Sequence, residues 1–182
     1  MTLEGNQKLI EMDMAYVMEY GVHRTAFIEH ILTNTLSKTL SQMNDKLIKP
    51  IEDHVLNSRM DLNTKVDLLN SLYKHGWYPS LSDMEGFKKK MKSVRNMRNL
   101  LAHSYTQNNQ EFIKNYNRTV LKLIYLDVNG YKTVTINLTK NEHDPYNDIY
   151  FLNEIQENVN FCADVVTSAQ KDIDKRLGIS SS

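Results

Sequence analysis

The stretch from Phe87 to His103 holds the residues whose types and spacing point most directly to chemistry. On a helical wheel at about 100° per residue, Phe87, Val94, Met97 and Leu101 fall on one side. Lys88, Lys92, Arg95, Asn99 and His103 fall within about 80° of one another on a second side, with Arg98 at the border. Lys88, Lys89, Lys90, Lys92, Arg95 and Arg98 make this the most basic part of the chain. Arginine offers a fixed fork of donors that matches a phosphate. Imidazole titrates near neutrality and can take or give a proton. Asparagine can hold a phosphate oxygen or orient the imidazole. Such a set could cut RNA without a metal. His103 would remove the 2′-hydroxyl proton, Arg98 would stabilise charge growing on the phosphate, and the 2′-oxygen would attack its own phosphate to leave a cyclic phosphate end. The competing reading is a solvated basic face closed by a histidine.

Geometry constrains the first reading. Arg98 and His103 diverge by about 140° on a straight helix, so one helix presents them poorly to one phosphate. Two copies related by a two-fold axis could pool their residues in one cleft.

The elements that must position these residues are read mainly as helices. Apolar residues at helical spacing predict a short helix from Lys8 to Tyr20 with Gly21 as its C-cap. A long helical pattern follows from Arg24 to Leu56, kinked or split at Pro50. Another helix starts at Leu62 with Asn63 as N-cap and stops near Gly76, and Trp77 to Ser80 form a loop. Ser82 or Asp83 caps the helix of the basic row, which runs to about His103. A short helix covers Glu111 to Tyr116. Two runs of branched and aromatic residues, Thr119–Val128 and Tyr131–Thr139, flank Asn129-Gly130 and predict a β-hairpin. It could add an edge strand to a partner or simply cover the core. A polar loop at Asn141–Asn147 with Pro145, a helix from about Asp148 to Leu177, and a frayed tail at Ser180–Ser182 complete the chain.

Composition sets the outer bounds. The chain has 182 residues, 6 glycines and 3 prolines, which fits one domain of long elements, 1–182, with an N-terminal helix over 1–21 and a helical core over 22–178. Formal net charge is zero, so a nucleic-acid role must rest on a local patch. One cysteine, Cys162, rules out an internal disulfide and a cysteine-based zinc site, and reads as a buried helical thiol. Six histidines form no H-x-x-x-H pair or His/Cys cluster, so no metal site is expected. No phosphate loop, dinucleotide turn or nucleophile elbow is present, and no cofactor is expected. The charged N-terminus does not read as a signal peptide, and no apolar run approaches the roughly 20 residues of a membrane span. A cytoplasmic location without membrane partners is the expectation.

Arg98-Asn99-Leu100-Leu101-Ala102-His103 resembles the R-N-x-x-x-H signature of the HEPN superfamily. The order of elements over Gly21 to Leu177 is similar to HEPN domains, with the hairpin at about 119–139 as an insertion before the last helix. The resemblance implies a mainly α helical bundle that dimerises through its motif helices. It implies a metal-independent endoribonuclease of toxin–antitoxin, phage-defence or RNA-processing type, with Arg98 and His103 as the catalytic pair and Asn99 as their polar partner. Lys88, Lys92 and Arg95 would then bind RNA. His103-Ser104-Tyr105 resembles the H-x-Y extension of HEPN toxins whose tyrosine receives AMP from a nucleotidyltransferase antitoxin, which implies Tyr105 as a modification site and such an antitoxin as a partner. Some members keep the motif without cleavage, so a non-catalytic module binding RNA or protein is the alternative.

Overall fold

A computed structural model describes residues 2–42, 44–107, 109–128, 130–139 and 149–179. Helix α1 spans Leu3–Met18, with the Thr2 hydroxyl accepting the Gly5 N–H at its start. It does not stop at Gly21. A π-helical turn, Glu19–His23, carries the chain into α2, Arg24–Ser41. Gly21 is buried inside this continuous helix, so its role is close approach and not a C-cap.

The pattern from Arg24 to Leu56 splits near Gln42 (φ 45°) and not at Pro50. Asn44 caps α3, Asp45–Ile51, by accepting the Lys46 N–H. Pro50 sits inside α3 just before a second π turn, Glu52–Leu56; without an N–H it cannot bond back along the helix, and the next turn widens. The three-residue α4, Asn57–Arg59, follows. Helix α5, Leu62–Lys74, is capped by Asp61 and not Asn63, because the Asp61 carboxylate accepts the Thr64 N–H at 2.8 Å. It ends at Gly76 (φ 76°), whose backbone favours glycine. Helix α6, Met84–Ala102, starts at Asp83, whose Oδ1 accepts the Gly86 N–H at 2.8 Å.

The remaining elements are β1, Ser104–Thr106; α7, Gln110–Lys114; β2, Val120–Asp127; β3, Gly130–Asn137; β4, Ile149–Phe151; and α8, Leu152–Arg176. The expected hairpin is present as β2 and β3, paired from Val120–Asn137 to Asp127–Gly130. Sequence spacing did not show the other two strands. β1 pairs antiparallel with β2, and β4 pairs parallel with β3, giving the order β1-β2-β3-β4. The first turn expected of the last helix is therefore strand: Ile149-Tyr150-Phe151 is a branched and aromatic triplet that finds backbone partners on β3. The polar stretch 141–147 with Pro145, Asn129 of the turn, and the tail 180–182 lie outside the described residues. The molecule is mainly helical with a small four-stranded sheet.

The chain divides into two compact units, one of 1–25 and 93–159 and one of 26–92 and 160–182. In the first, one face of the sheet buries Leu121, Leu123, Val134 and Ile136, and α1 buries Ile10 and Val17. Asp13 ties α1 to the segment after α7, accepting from the Tyr116 hydroxyl at 2.8 Å and from Arg118 Nε at 3.1 Å. In the second, Ile28, Leu32 and Leu36 of α2 are buried, as are Val66 and Leu69 of α5 and Cys162, Val166 and Ile173 of α8. Lys65, only 2% exposed, pairs with Glu29 at 3.0 Å, and the buried Tyr78 hydroxyl meets Thr39 Oγ1 at 2.7 Å. Among the described residues no helix is long and apolar enough to cross a membrane.

Candidate active site

Helix α6 separates its faces as the wheel predicts. Phe87, Met91, Val94, Met97 and Leu101 are buried; Lys89, Lys92, Asn96 and Asn99 are exposed. Lys88, Arg95 and Arg98 are half-buried along the seam between the faces. Burial of the apolar side fixes the rotation of the helix, and that rotation turns Lys92 and Asn99 outward.

Individual residues of the row differ in what they can offer. Lys88 Nζ lies 2.7 Å from Asp67 Oδ1 of α5, and that hydrogen bond and charge raise its pKa above the ordinary lysine range. Part of its charge is thus already answered. Arg95 buries its Nε with no hydrogen-bond partner among the described residues, while the residue as a whole stays half exposed. Lys90 belongs to the other flank and sits 5.1 Å over the Phe161 ring.

The helix ends at Ala102, so the wheel angle does not carry through to His103. His103 occupies the turn between α6 and β1, exposed, with its backbone N–H donated to the Leu100 carbonyl at 3.3 Å. Both ends of this turn are pinned. Ser104 Oγ donates to the same Leu100 carbonyl at 2.5 Å. Ser104 and Thr106 pair with Tyr125 and Leu123 across the β1–β2 ladder. Leu101 is 1% exposed and packs against Gly21, so closely that a Cβ there would stand 2.1 Å from Leu101 Cδ1. A solvent-facing imidazole on a short link between fixed elements has little backbone entropy left to lose on meeting a substrate.

Tyr105, expected just after a helix end, is in β1, opposite Ile124 and 51% exposed. Gly21 is a supporting residue that the spacing did not reveal, because a glycine after a helical run reads as a cap. Its signal was the unbroken helical pattern on both sides, from Val17 to Ile28.

A cavity of about 180 Å³ flanks α6 at Ser93, Val94 and Met97, with Gly21, Phe151 and Ile155 among its other walls. It lies off the face that carries Lys92, Arg95 and Asn99. Among the described residues no three His, Cys, Asp or Glu side chains are grouped to hold a metal ion. The arrangement offers a general base or acid in His103, cationic groups in Lys92, Arg95 and Arg98, and an amide in Asn99, all on one helix and the turn that ends it. Comparison with protein-family models, with curated proteins and with solved structures returns no match.

Proposed function

We propose that this chain is a metal-independent endoribonuclease of HEPN type, acting in a toxin–antitoxin or phage-defence setting. The observation that carries the reading is His103, exposed and pinned in the turn that ends α6, downstream of a row of cationic and amide groups. In the reaction His103 takes the 2′-hydroxyl proton, and the 2′-oxygen attacks the adjacent phosphorus as the bond to the 5′-oxygen breaks. The 5′-oxygen takes a proton from water as it leaves, and the products are a 2′,3′-cyclic phosphate and a 5′-hydroxyl. Arg98 clamps the phosphate and offsets its growing charge, Asn99 orients the imidazole or a phosphate oxygen, and Lys92, Arg95 and Lys88 guide the backbone.

The placement of the row along one face of a single helix favours a second copy of the chain. Phosphoryl chemistry needs donors on several sides of one phosphate, and two copies facing each other through α6 would supply them from both sides. Tyr105, exposed beside the same turn, fits the position of a tyrosine modified by a nucleotidyltransferase antitoxin. The test is cleavage of RNA in EDTA with cyclic phosphate ends, abolished by His103→Ala. A second reading, a non-catalytic module that binds RNA or a protein partner, draws on the engagement of Lys88 by Asp67. It predicts salt-sensitive binding with uncut RNA.

A further inference from the structure

Along β2 and β3 the buried apolar side chains, Leu121, Leu123, Val134 and Ile136, all lie on one face of the sheet. Side chains alternate along a strand, and directly paired residues share a face. Lys122, Ile124 and Leu126 of β2 therefore point the opposite way from the buried Leu121 and Leu123. The register adds Tyr105 opposite Ile124, Tyr131 opposite Leu126, and Thr133 opposite Ile124. Tyr105 is 51%, Leu126 65% and Tyr131 73% exposed. The strip from Lys122 to Leu126 is about 14 Å long at the usual strand rise. Its outward aromatic rings are thus built into the register and do not come from a frayed end.

At the Lys122 end the strip runs into a second feature. A polar cavity of about 380 Å³ is formed there by Gln107, Asn109, Phe112, Asn115, Asn117 and Lys122, with Glu111 as the carboxylate of its lining. The Asn109 side-chain Oδ1 accepts the Phe112 N–H at 2.7 Å, and the Asn117 Oδ1 accepts the Thr119 N–H at 3.1 Å. Their NH2 groups remain as donors and make no hydrogen bond among the described residues. Lys122 Nζ stands 6.0 Å from the centre of the Phe112 ring. Amide donors, an ammonium and an aromatic face suit a ligand made of acceptor-rich rings joined by phosphates.

We infer that this outer sheet face and its polar cavity form a subsite for single-stranded RNA, separate from the basic row of α6. The inference rests on the ribonuclease reading for its choice of ligand. Tyr105 and Tyr131 stack unpaired bases, a contact that duplex RNA, with its bases already stacked, does not supply. Lys122 and the Asn109 and Asn117 amides take phosphate or base oxygens. Continuity supports the same occupant: Tyr105 is two residues past His103, so a strand laid on the face leads to the turn that would cut it.

The test is fluorescence anisotropy with His103→Ala protein and a labelled 12-nucleotide single-stranded RNA of mixed sequence. Tyr131→Ala and Lys122→Ala change exposed residues, and unchanged circular dichroism melting confirms that the fold survives. Each is expected to weaken Kd about fivefold or more, from the usual effect of losing a base-stacking or phosphate contact. Tyr131→Phe is expected to stay within twofold, and annealing the RNA to its complement is expected to weaken binding. If the wild-type chain cuts this RNA but both variants bind it as tightly as their parent, the subsite is overturned and the cleavage reading stands. Absence of binding in every protein overturns both. Unchanged RNA affinity together with loss of self-association in Tyr131→Ala assigns the face to a second copy of the chain and overturns the inference.

Discussion

Gly21→Ala is the most informative perturbation of the fold around the candidate site. Alanine is the better helix former by about 1 kcal/mol, so propensity alone predicts stabilisation of the turn at Glu19–His23. Packing opposes it. The new Cβ would stand 2.1 Å from Leu101 Cδ1, 3.5 Å from Leu101 Cγ and 3.7 Å from Met97 Cγ. Leu101 and Met97 are both buried, so the methyl cannot swing into solvent. Overpacking of this kind costs about 1–3 kcal/mol, which outweighs propensity and leaves a net loss of about 1 kcal/mol. For a chain of this size that is a fall of about 2–4 °C in Tm. Leu101 lies between Arg98 and His103, so relief of the clash moves the end of α6, and RNA cleavage is expected to fall further than the folded fraction does. Thermal melting and initial cleavage rates well below Tm read the two effects separately. Gly21→Ala with Leu101→Val removes part of the opposing side chain and is expected to recover some of each loss. A variant that melts at or above the parent temperature with full activity would refute the close-packing argument.

Tyr78 supplies a pH prediction: burial pushes its hydroxyl up to about 12 against 10 when unfolded, with a smaller opposing effect from Thr39. The unfolded chain then releases a proton that the folded one keeps, so stability is present below pH 10 and is lost as pH rises towards 12, by about 2–3 kcal/mol from this group. Urea midpoints between pH 9 and 11.5 are expected to fall more steeply for the parent than for Tyr78→Phe; equal slopes would count against the account. Cys162 is buried with its thiol pushed up to about 12, so a thiol-specific reagent at pH 8 is expected to label it only under unfolding conditions, and rapid native labelling would contradict its burial. Asp67→Asn is expected to release Lys88 and to steepen the salt dependence of RNA binding by about 0.7 in log–log slope, whereas an unchanged slope would remove Lys88 from the RNA-binding row.

The features that the sequence made legible are those governed by local rules. The apolar stripe of α6 sets its faces, and Phe87, Val94, Met97 and Leu101 are buried as their spacing predicts. The alternating runs around Asn129-Gly130 gave the β2–β3 ladder. What stayed hidden depends on partners distant in the chain. β1 and β4 are three residues each, too short to show a period, and exist because β2 and β3 offer them free edges. Gly21 resembles a cap until Leu101 is seen against it. Asp61 and Asn63 are both good N-caps; the choice falls to the carboxylate that reaches the Thr64 N–H. In the site itself the two faces of α6 were readable, but the turn that takes His103 off the helix, the hold of Asp67 on Lys88 and the outward tyrosines of the sheet were not.

The central claim is that His103 moves the proton in a metal-free cleavage of RNA. The most direct measurement is the end chemistry of RNA incubated in EDTA with the parent chain and with His103→Ala, both shown to be folded. The parent is expected to leave 2′,3′-cyclic phosphate and 5′-hydroxyl ends, and the variant none above background. Equal cleavage by the two proteins, or intact RNA with the folded parent across a range of single-stranded substrates, would contradict it.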